Sequence, residues 1–346
     1  MVAAVLMVAM SAQAFATSKT VTVTEAGTLS TLIPASEKNA ITSLTVSGTL
    51  NGTGIRFIRE MAGLDIEGET TDGKLTELNI AGIELTDGDD AYYEDAWSKY
   101  YTATSYDVSE DNDLYYCTDL SYAFTGTNLT KVVWPATMWE VGENALAYCS
   151  DLKEFVLGSG MNTVGESMFY YANGLESIDV PEGYTSIGYE AFASCSALKS
   201  VTLPSTIGAI AAEAFYGCSA LESFTIKVAA PIAITTDVFE DVDLNTCVLN
   251  VPEEGVEAYK ADAQWGKFKN INGIMPSGVN DVVSSIDANV SVADGVLTID
   301  GAQGDISVYN IGGVRLANGS ERLSVTLSKG VYVITLNGKA TKVIVK

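Results

Sequence analysis

Six leucines recur at a fixed step of 23 residues: Leu129, Leu152, Leu175, Leu198, Leu221 and Leu244. Each opens the pattern L-x-x-(V/I/F/C)-x-(L/I/V/W). The cores are Leu129/Val132/Trp134, Leu152/Phe155/Leu157, Leu175/Ile178/Val180, Leu198/Val201/Leu203, Leu221/Phe224/Ile226 and Leu244/Cys247/Leu249. Pro135, Pro181 and Pro204 follow directly in three units, where a strand should stop. An (I/V)-G pair comes later, at Val141-Gly142, Val164-Gly165 and Ile187-Gly188, and then Ala145-Leu146, Met168-Phe169 and Ala191-Phe192. Ala214-Phe215 keeps that register and Val238-Phe239 is shifted by one. A coil this short cannot bury its own apolar edge, so stability requires stacking, with aligned Leu, Val and Phe forming one continuous core.

The period therefore predicts a mainly β leucine-rich-repeat solenoid, with one short strand per coil and short helical caps. Weaker strand cores, Ile41/Leu44/Val46 and Leu75/Leu78/Ile80, precede the regular units at irregular spacing, as capping units do. Between them, Thr53–Ala62 carries Ile55, Ile58 and Met61 at helical spacing. Pro252–Asn270, with Val256, Tyr259 and Trp265, reads as a closing segment. Met275-Pro276-Ser277-Gly278 is a turn-rich boundary. Alternating strands follow it, with Gly312-Gly313, Asn318-Gly319 and Asn337-Gly338 as hairpin turns, and a small antiparallel β-sandwich is expected there. The expected organisation is 1–16 signal peptide, 17–128 N-terminal cap and irregular repeats, 129–275 regular repeats and closing cap, and 276–346 the C-terminal sandwich.

The first of these rests on Val2–Met10, an apolar run too short to span a bilayer comfortably, and on Ala14-Phe15-Ala16, a small-x-small cleavage pattern before polar Thr17. No Lys or Arg precedes the run, where such peptides carry one. Export to the cell surface or the extracellular space is the expectation, with no integral membrane segment after cleavage.

Composition narrows the function classes. The 346 residues hold 44 acidic and 19 basic side chains, a net charge of −25, which makes nucleic acid a poor partner. Histidine is absent, which removes Ser-His and Cys-His nucleophile activation. Ser150-Asp-Leu-Lys153 and Ser196-Ala-Leu-Lys199 match a serine–lysine nucleophile pattern, but both fall at one repeat phase and contain a ladder leucine. The acidic runs Asp87, Asp89, Asp90, Glu94, Asp95 and Glu110, Asp111, Asp113 lack calcium-loop spacing and read as solvated loops. Cys195 and Cys218 share a phase in adjacent coils, close enough for a disulfide. Ladder side chains run parallel, however, which favours buried thiols. No catalytic residue, cofactor or metal is expected.

The repeats, such as Gly188-Tyr-Glu-Ala-Phe-Ala-Ser-Cys-Ser-Ala-Leu-Lys-Ser-Val-Thr-Leu-Pro204, resemble BspA-like leucine-rich repeat proteins of Bacteroides-type bacteria. Gly48–Ala62 looks like that family's opening cap, and Val251–Lys260 with Trp265–Asn270 like its closing cap. The run Ser307–Val314, Lys329–Ile334 and the terminal Lys-Val-Ile-Val-Lys resemble the C-terminal sorting domains of the type IX secretion system. The resemblance implies a non-enzymatic secreted or surface protein that binds proteins or glycans, host or bacterial, as in adhesion. The alternative from another class is a secreted carboxylate-dependent hydrolase or carbohydrate-active protein.

The partner surface is expected at a tyrosine-rich insertion. Outward strand positions form two columns, Lys131, Glu154, Ser177, Ser200, Ser223, Thr246 and Val133, Val156, Asp179, Thr202, Thr225, Val248, neither with an aromatic anchor. Residues 92–122 instead hold 8 of the 17 tyrosines. Binding hot spots favour Trp, Tyr and Arg, so Tyr92, Tyr93, Trp97, Tyr100, Tyr101 and Tyr106 are the candidate binding residues.

Overall fold

Each three-residue repeat strand buries its middle residue and turns its neighbours outward. Lys131–Val133, Glu154–Val156 and Ser177–Asp179 all follow this rule, which is the period-two geometry of a half-buried strand. The computed structural model describes residues 17–345 except 89, 105–106, 110–113, 136–137, 139–141, 275–287, 294, 311, 329 and 338. The signal segment read at 1–16, Tyr106 and the turn-rich boundary at 275–278 lie outside the described residues.

Strands stack in parallel along the solenoid. Thr17–Val23, Ile41–Leu50, Glu77–Leu85, Lys131–Val133 and Glu154–Val156 form one run, and Ser177–Asp179, Ser200–Leu203, Ser223–Ile226, Val248–Pro252 and Asn270–Ile274 the next. A second, two-residue strand per coil (Thr163–Val164, Ser186–Ile187, Ala209–Ile210) makes a narrower parallel sheet. The architecture is a leucine-rich-repeat solenoid with short helical caps.

Two further ladders hold the coils in register. Phe169, Phe192, Phe215 and Phe239 stack with ring centroids 5.1, 5.3 and 5.7 Å apart, forming an aromatic spine. On the turn side, backbone N–H groups reach carbonyls of the next coil: Leu146 to Met168, Phe169 to Ala191, Phe192 to Ala214, Phe215 to Val238. The ladder leucines Leu129, Leu152, Leu175 and Leu198 are fully buried. Leu198→Ala should therefore leave an unfilled cavity costing roughly 2–5 kcal/mol. An unchanged urea midpoint would show that Leu198 is not an inward residue.

The sixth unit departs from the sequence reading. Phe224 pairs with Leu249, not with Cys247, so the strand register advances by 25 residues instead of 23. The outward partners of Ser223 and Thr225 are consequently Val248 and Asn250, not Thr246 and Val248. One extra residue enters before Phe239, which follows Phe215 by 24, and a second enters between Phe239 and Leu249. Asn250 Nδ2 donates to Ser223 Oγ and Thr225 Oγ1 at 3.1 and 3.3 Å, so the shifted register is stitched by side chains.

The caps close both ends. Helix Gly52–Met61 starts at Asn51, whose side chain accepts from Gly54 N, and it buries Ile55, Ile58 and Met61. At the other end Val256–Ala261 and Trp265–Lys267 cover the spine, with Trp265 Nε1 donating to the Ile232 carbonyl at 2.8 Å and Tyr259 OH to that of Val228 at 2.9 Å.

All five cysteines are free and buried. The thiols of Cys149, Cys195 and Cys218 donate to the carbonyls of Phe124, Phe169 and Phe192 in the preceding coil, at 3.0–3.2 Å. Burial pushes the Cys117, Cys218 and Cys247 thiols up to about 12. A raised value keeps the thiol protonated, and only the thiolate reacts. At pH 8 a disulfide reagent should label the native protein slowly and label all five sites after denaturation; rapid native labelling would contradict the buried column.

The C-terminal unit is one antiparallel sheet folded on itself into a small sandwich. Asn289–Ala293, Val296–Asn310, Gly330–Leu336 and Lys339–Val345 lie in that order, and Arg315–Thr326 pairs the other edge of the long second strand. That strand bends at Gly301–Gly304, where the pairing register breaks. Gly304 has φ +136°, a backbone conformation that L side chains rarely adopt, so glycine is favoured at the bend. Leu297, Ile299, Ile306, Val308, Ile334 and Leu336 form a core separate from that of the solenoid. Asn318-Gly319 is not a hairpin turn as its sequence signal implies. It lies inside Arg315–Thr326, opposite Ser307 and Ile306. Arg315 ion-pairs with Glu253 of the closing cap, and Ile274 bridges to Val314.

Candidate functional site

The tyrosine-rich stretch leaves the solenoid between two strands that pair with each other. Glu77–Asn79 runs directly alongside Lys131–Val133. The step from Leu75 to Leu129 is 54 residues, one 23-residue coil plus 31 more. The excess builds a four-stranded sheet of Tyr93–Glu94, Lys99–Thr102, Leu114–Cys117 and Asp107–Ser109.

Most of its described rings face inward. Tyr92 is fully buried, with its hydroxyl donating to the Ser121 carbonyl at 2.8 Å. Tyr100 is 8% exposed, stacked on Tyr115 at 4.9 Å and tilted against Tyr93 and Tyr122 at 5.6 and 4.8 Å. Burial raises Tyr100 far above its ordinary value. Tyr92 and Tyr100 are thus corrected from binding candidates to core residues of the insertion, because their rings fill the seam between sheet and first coil. Beneath them lies Arg59, 1% exposed. Its Nε donates to the Asp65 carbonyl at 2.7 Å and its Nη1 to those of Ala123 and Thr125 at 3.1 Å, while its guanidinium sits 5.0 Å from the Tyr93 ring centre.

Trp97 is the exception. It is 83% exposed at a hairpin tip, where Asp95 Oδ1 accepts from the backbone N–H groups of Trp97 and Ser98. Tyr93 and Tyr101 are half-buried on the same sheet. Described acidic residues nearby are spent on local structure, while Asp89, Glu110, Asp111 and Asp113 lie outside the described residues. Asp87 accepts from Thr104 N and Oγ1, Asp90 from Thr53 Oγ1, and Glu94 pairs with Lys99. Among the described residues no cluster of three or more potential metal ligands occurs. The serine–lysine pattern also dissolves: Ser196 Oγ donates to Asn173 Oδ1 while Lys199 pairs with Glu176. A concavity of about 150 Å³ beside Leu29, Thr53, Arg56 and Phe57 is well below the usual size of a small-molecule site.

A second aromatic surface escaped the sequence reading. In each coil the turn side carries two residues with left-handed backbone: Asn144 and Tyr148, Ser167 and Tyr171, Glu190 and Ser194, Glu213 and Gly217. Tyr148 and Tyr171 are among them, and Tyr189 directly precedes Glu190. Tyr148, Tyr171 and Tyr189 are 54%, 42% and 38% exposed. Tyr148 and Tyr171 stack at 5.6 Å with 13° between planes, and Tyr170 meets both edge-on. Glu143, Glu166, Glu190 and Glu213 lie among them. Partial burial, then Glu143 and Glu190, raise the Glu166 carboxyl above its ordinary value. Partial burial with Glu190 and Glu213 lifts Tyr189 to about 12. The detectable signal was Tyr148 and Tyr171 at one 23-residue phase, directly before the Cys149/Ala172 column.

Residues 120–245 match the BspA type Leucine rich repeat region, in six copies. A comparison with curated proteins finds no match. Solved structures that resemble the chain include the Treponema pallidum leucine rich repeat protein TpLRR, at 24% identity over 35% of this chain and 67% of that one (TM-score 0.30). A leucine rich cell surface protein from Faecalibacterium prausnitzii A2-165 shares 19% identity over 54% of this chain and 60% of its own (TM-score 0.31). The pneumococcal vaccine antigen PcpA shares 16% over 63% and 56% (TM-score 0.34).

Proposed function

We propose that this chain, with BspA type repeats over 120–245, is a non-enzymatic binding protein exported to the bacterial surface or beyond it. It engages proteins or glycans of a host or of other bacteria. The observation that carries the reading is the six-copy repeat match, set on a solenoid that builds long exposed faces from a fully packed interior. Stacked repeats of this kind serve binding through extended surface. The carboxylate-dependent hydrolase gains no observation in its favour. No helix among the described residues is long and apolar enough to cross a membrane.

Residues 1–16 are the export signal in this reading, 17–128 and 129–275 the binding solenoid, and 276–346 a sorting-like domain. Mass spectrometry of the secreted protein should find an N-terminus near Thr17. Deleting 279–346 should change its surface or extracellular abundance. An unprocessed chain held in the cytoplasm would overturn the export proposal.

Within the insertion, Trp97, with Tyr93 and Tyr101 beside it, is the contact we propose. An exposed Trp acting as a hot spot is worth about 2 kcal/mol or more in binding. Trp97→Ala should therefore weaken capture of a surface partner without moving the melting midpoint; equal binding would remove the insertion from the contact.

A further inference from the structure

We infer that the turn side of the repeats is a docking strip for a Lys- or Arg-bearing polypeptide segment, with Tyr148, Tyr171 and Tyr189 as platforms and Glu143, Glu166 and Glu190 as charge partners. This deepens the binding-protein reading and rests on it.

The fold does not require these rings. Tyr148 and Tyr171 occupy left-handed backbone at φ 59° and 57°, where a bulky side chain is unfavourable. The same column holds Ser194 and Gly217 in the next two coils, at φ 59° and 68°. The Tyr189 column continues with Ala212. Small residues therefore satisfy the coil geometry, and the tyrosines add ordered, exposed aromatic area instead of core. Their mutual stacking fixes that area before any partner arrives, which lowers the ordering cost of binding.

Charge identifies the occupant. Residues 120–245 contain four lysines and no arginine. All four flank the strands, at Lys131, Lys153, Lys199 and Lys227. Three of them are paired there, with Glu154, Glu176 and Glu182. The turn-side carboxylates thus have no basic residue of their own repeats beside them. Tyr122 OH and Asn144 Nδ2 donate to Glu143, and Tyr189 OH to Glu213, so rings and carboxylates form one hydrogen-bonded surface. A guanidinium or ammonium group suits this surface twice, over the ring face and against the carboxylate. An anionic partner would be repelled, and a neutral sugar would use the rings but leave the carboxylates unanswered. The carboxylates sit on successive coils about 4.8 Å apart, a spacing suited to reading several cations along a chain.

The test uses the full chain and a 12-residue peptide of alternating Arg and Ser, followed by fluorescence anisotropy. Binding at low ionic strength should weaken steeply with salt. The variant Tyr148→Ser/Tyr171→Ser/Tyr189→Ala keeps the charge and uses residues found in the same columns. It should bind about tenfold more weakly, with its melting midpoint unchanged. Glu143→Gln/Glu166→Gln should lose several-fold more affinity than Glu154→Gln/Glu222→Gln, which removes the same charge from the strand side. Absence of peptide binding would overturn the strip outright; equal binding by the ring variant, or equal losses in the two charge pairs, would overturn it in favour of diffuse attraction to an acidic protein. A surface partner that binds parent and ring variant alike would also remove the strip, and would leave the binding-protein reading standing.

Discussion

Phe192→Ala is expected to destabilise the solenoid by about 3–5 kcal/mol, the upper range for deletion of a core aromatic. Phe192 is fully buried and sandwiched between Phe169 and Phe215 at 5.1 and 5.3 Å. The gap cannot close by collapse. The Phe169 N–H bonds the Ala191 carbonyl and the Phe192 N–H bonds that of Ala214, at 2.9 Å each, so the coils on both sides are held at fixed spacing. In a repeat protein each coil contacts only its neighbours. A weakened interface in mid-stack should therefore separate the unfolding of the two halves. Urea unfolding by circular dichroism should show a lower midpoint and a broader or biphasic transition. Phe192→Leu should lose less than half as much, because Leu146 already fills the equivalent column two coils earlier. A single sharp transition in the alanine variant at the parent's midpoint would show that the spine does not carry the coupling.

Arg59→Met should cost a comparable amount, about 3–5 kcal/mol, chiefly from the buried carbonyls it leaves unpaired. The guanidinium holds the opening cap to the first regular coil through the carbonyls of Asp65, Ala123 and Thr125. Burial lowers its pKa, yet the group stays protonated because arginine begins so high. Methionine fills the volume but takes the Arg59 donor from the Ala123 and Thr125 carbonyls, each costing about 1–3 kcal/mol when buried, while the Asp65 carbonyl keeps the Gly68 N–H. Arg59→Lys should rescue little, since a point charge cannot reach separated acceptors as a planar fork does. Hydrogen exchange should speed up in the cap and insertion before it does in residues 150–270. If the lysine variant melts with the parent, the carbonyl network contributes nothing.

The sequence exposed whatever depends on burial at a fixed period. Leu129 through Leu221, the phenylalanine spine and the cap helix were legible because a buried ladder must repeat its side-chain type. The sixth unit was legible in content but not in register, since one extra residue before Phe239 and a second between Phe239 and Leu249 shift the strand without altering its apolar character. Arg59 was within reach: at 55, 58, 59 and 62 it shares the inward helix face with Ile55, Ile58 and Ala62. The insertion misled because a tyrosine gives the same letter whether its ring packs a seam, as Tyr92 and Tyr100 do, or faces water. The turn-side rings stayed hidden for a different reason. Tyr148 and Tyr171 sit on left-handed backbone at non-glycine residues, which propensity does not foresee.

The direct pairing of Glu77–Asn79 with Lys131–Val133 makes the insertion a socket. Neighbouring coils meet without help from the 31 extra residues, so the stack tolerates whatever is spliced between them, provided the splice returns to the same two ends and a new lining covers the seam that Tyr92 and Tyr100 now fill. Lineages can therefore exchange that cassette at little cost to the scaffold, and an engineer can graft a foreign loop or small domain there while the frame keeps its shape.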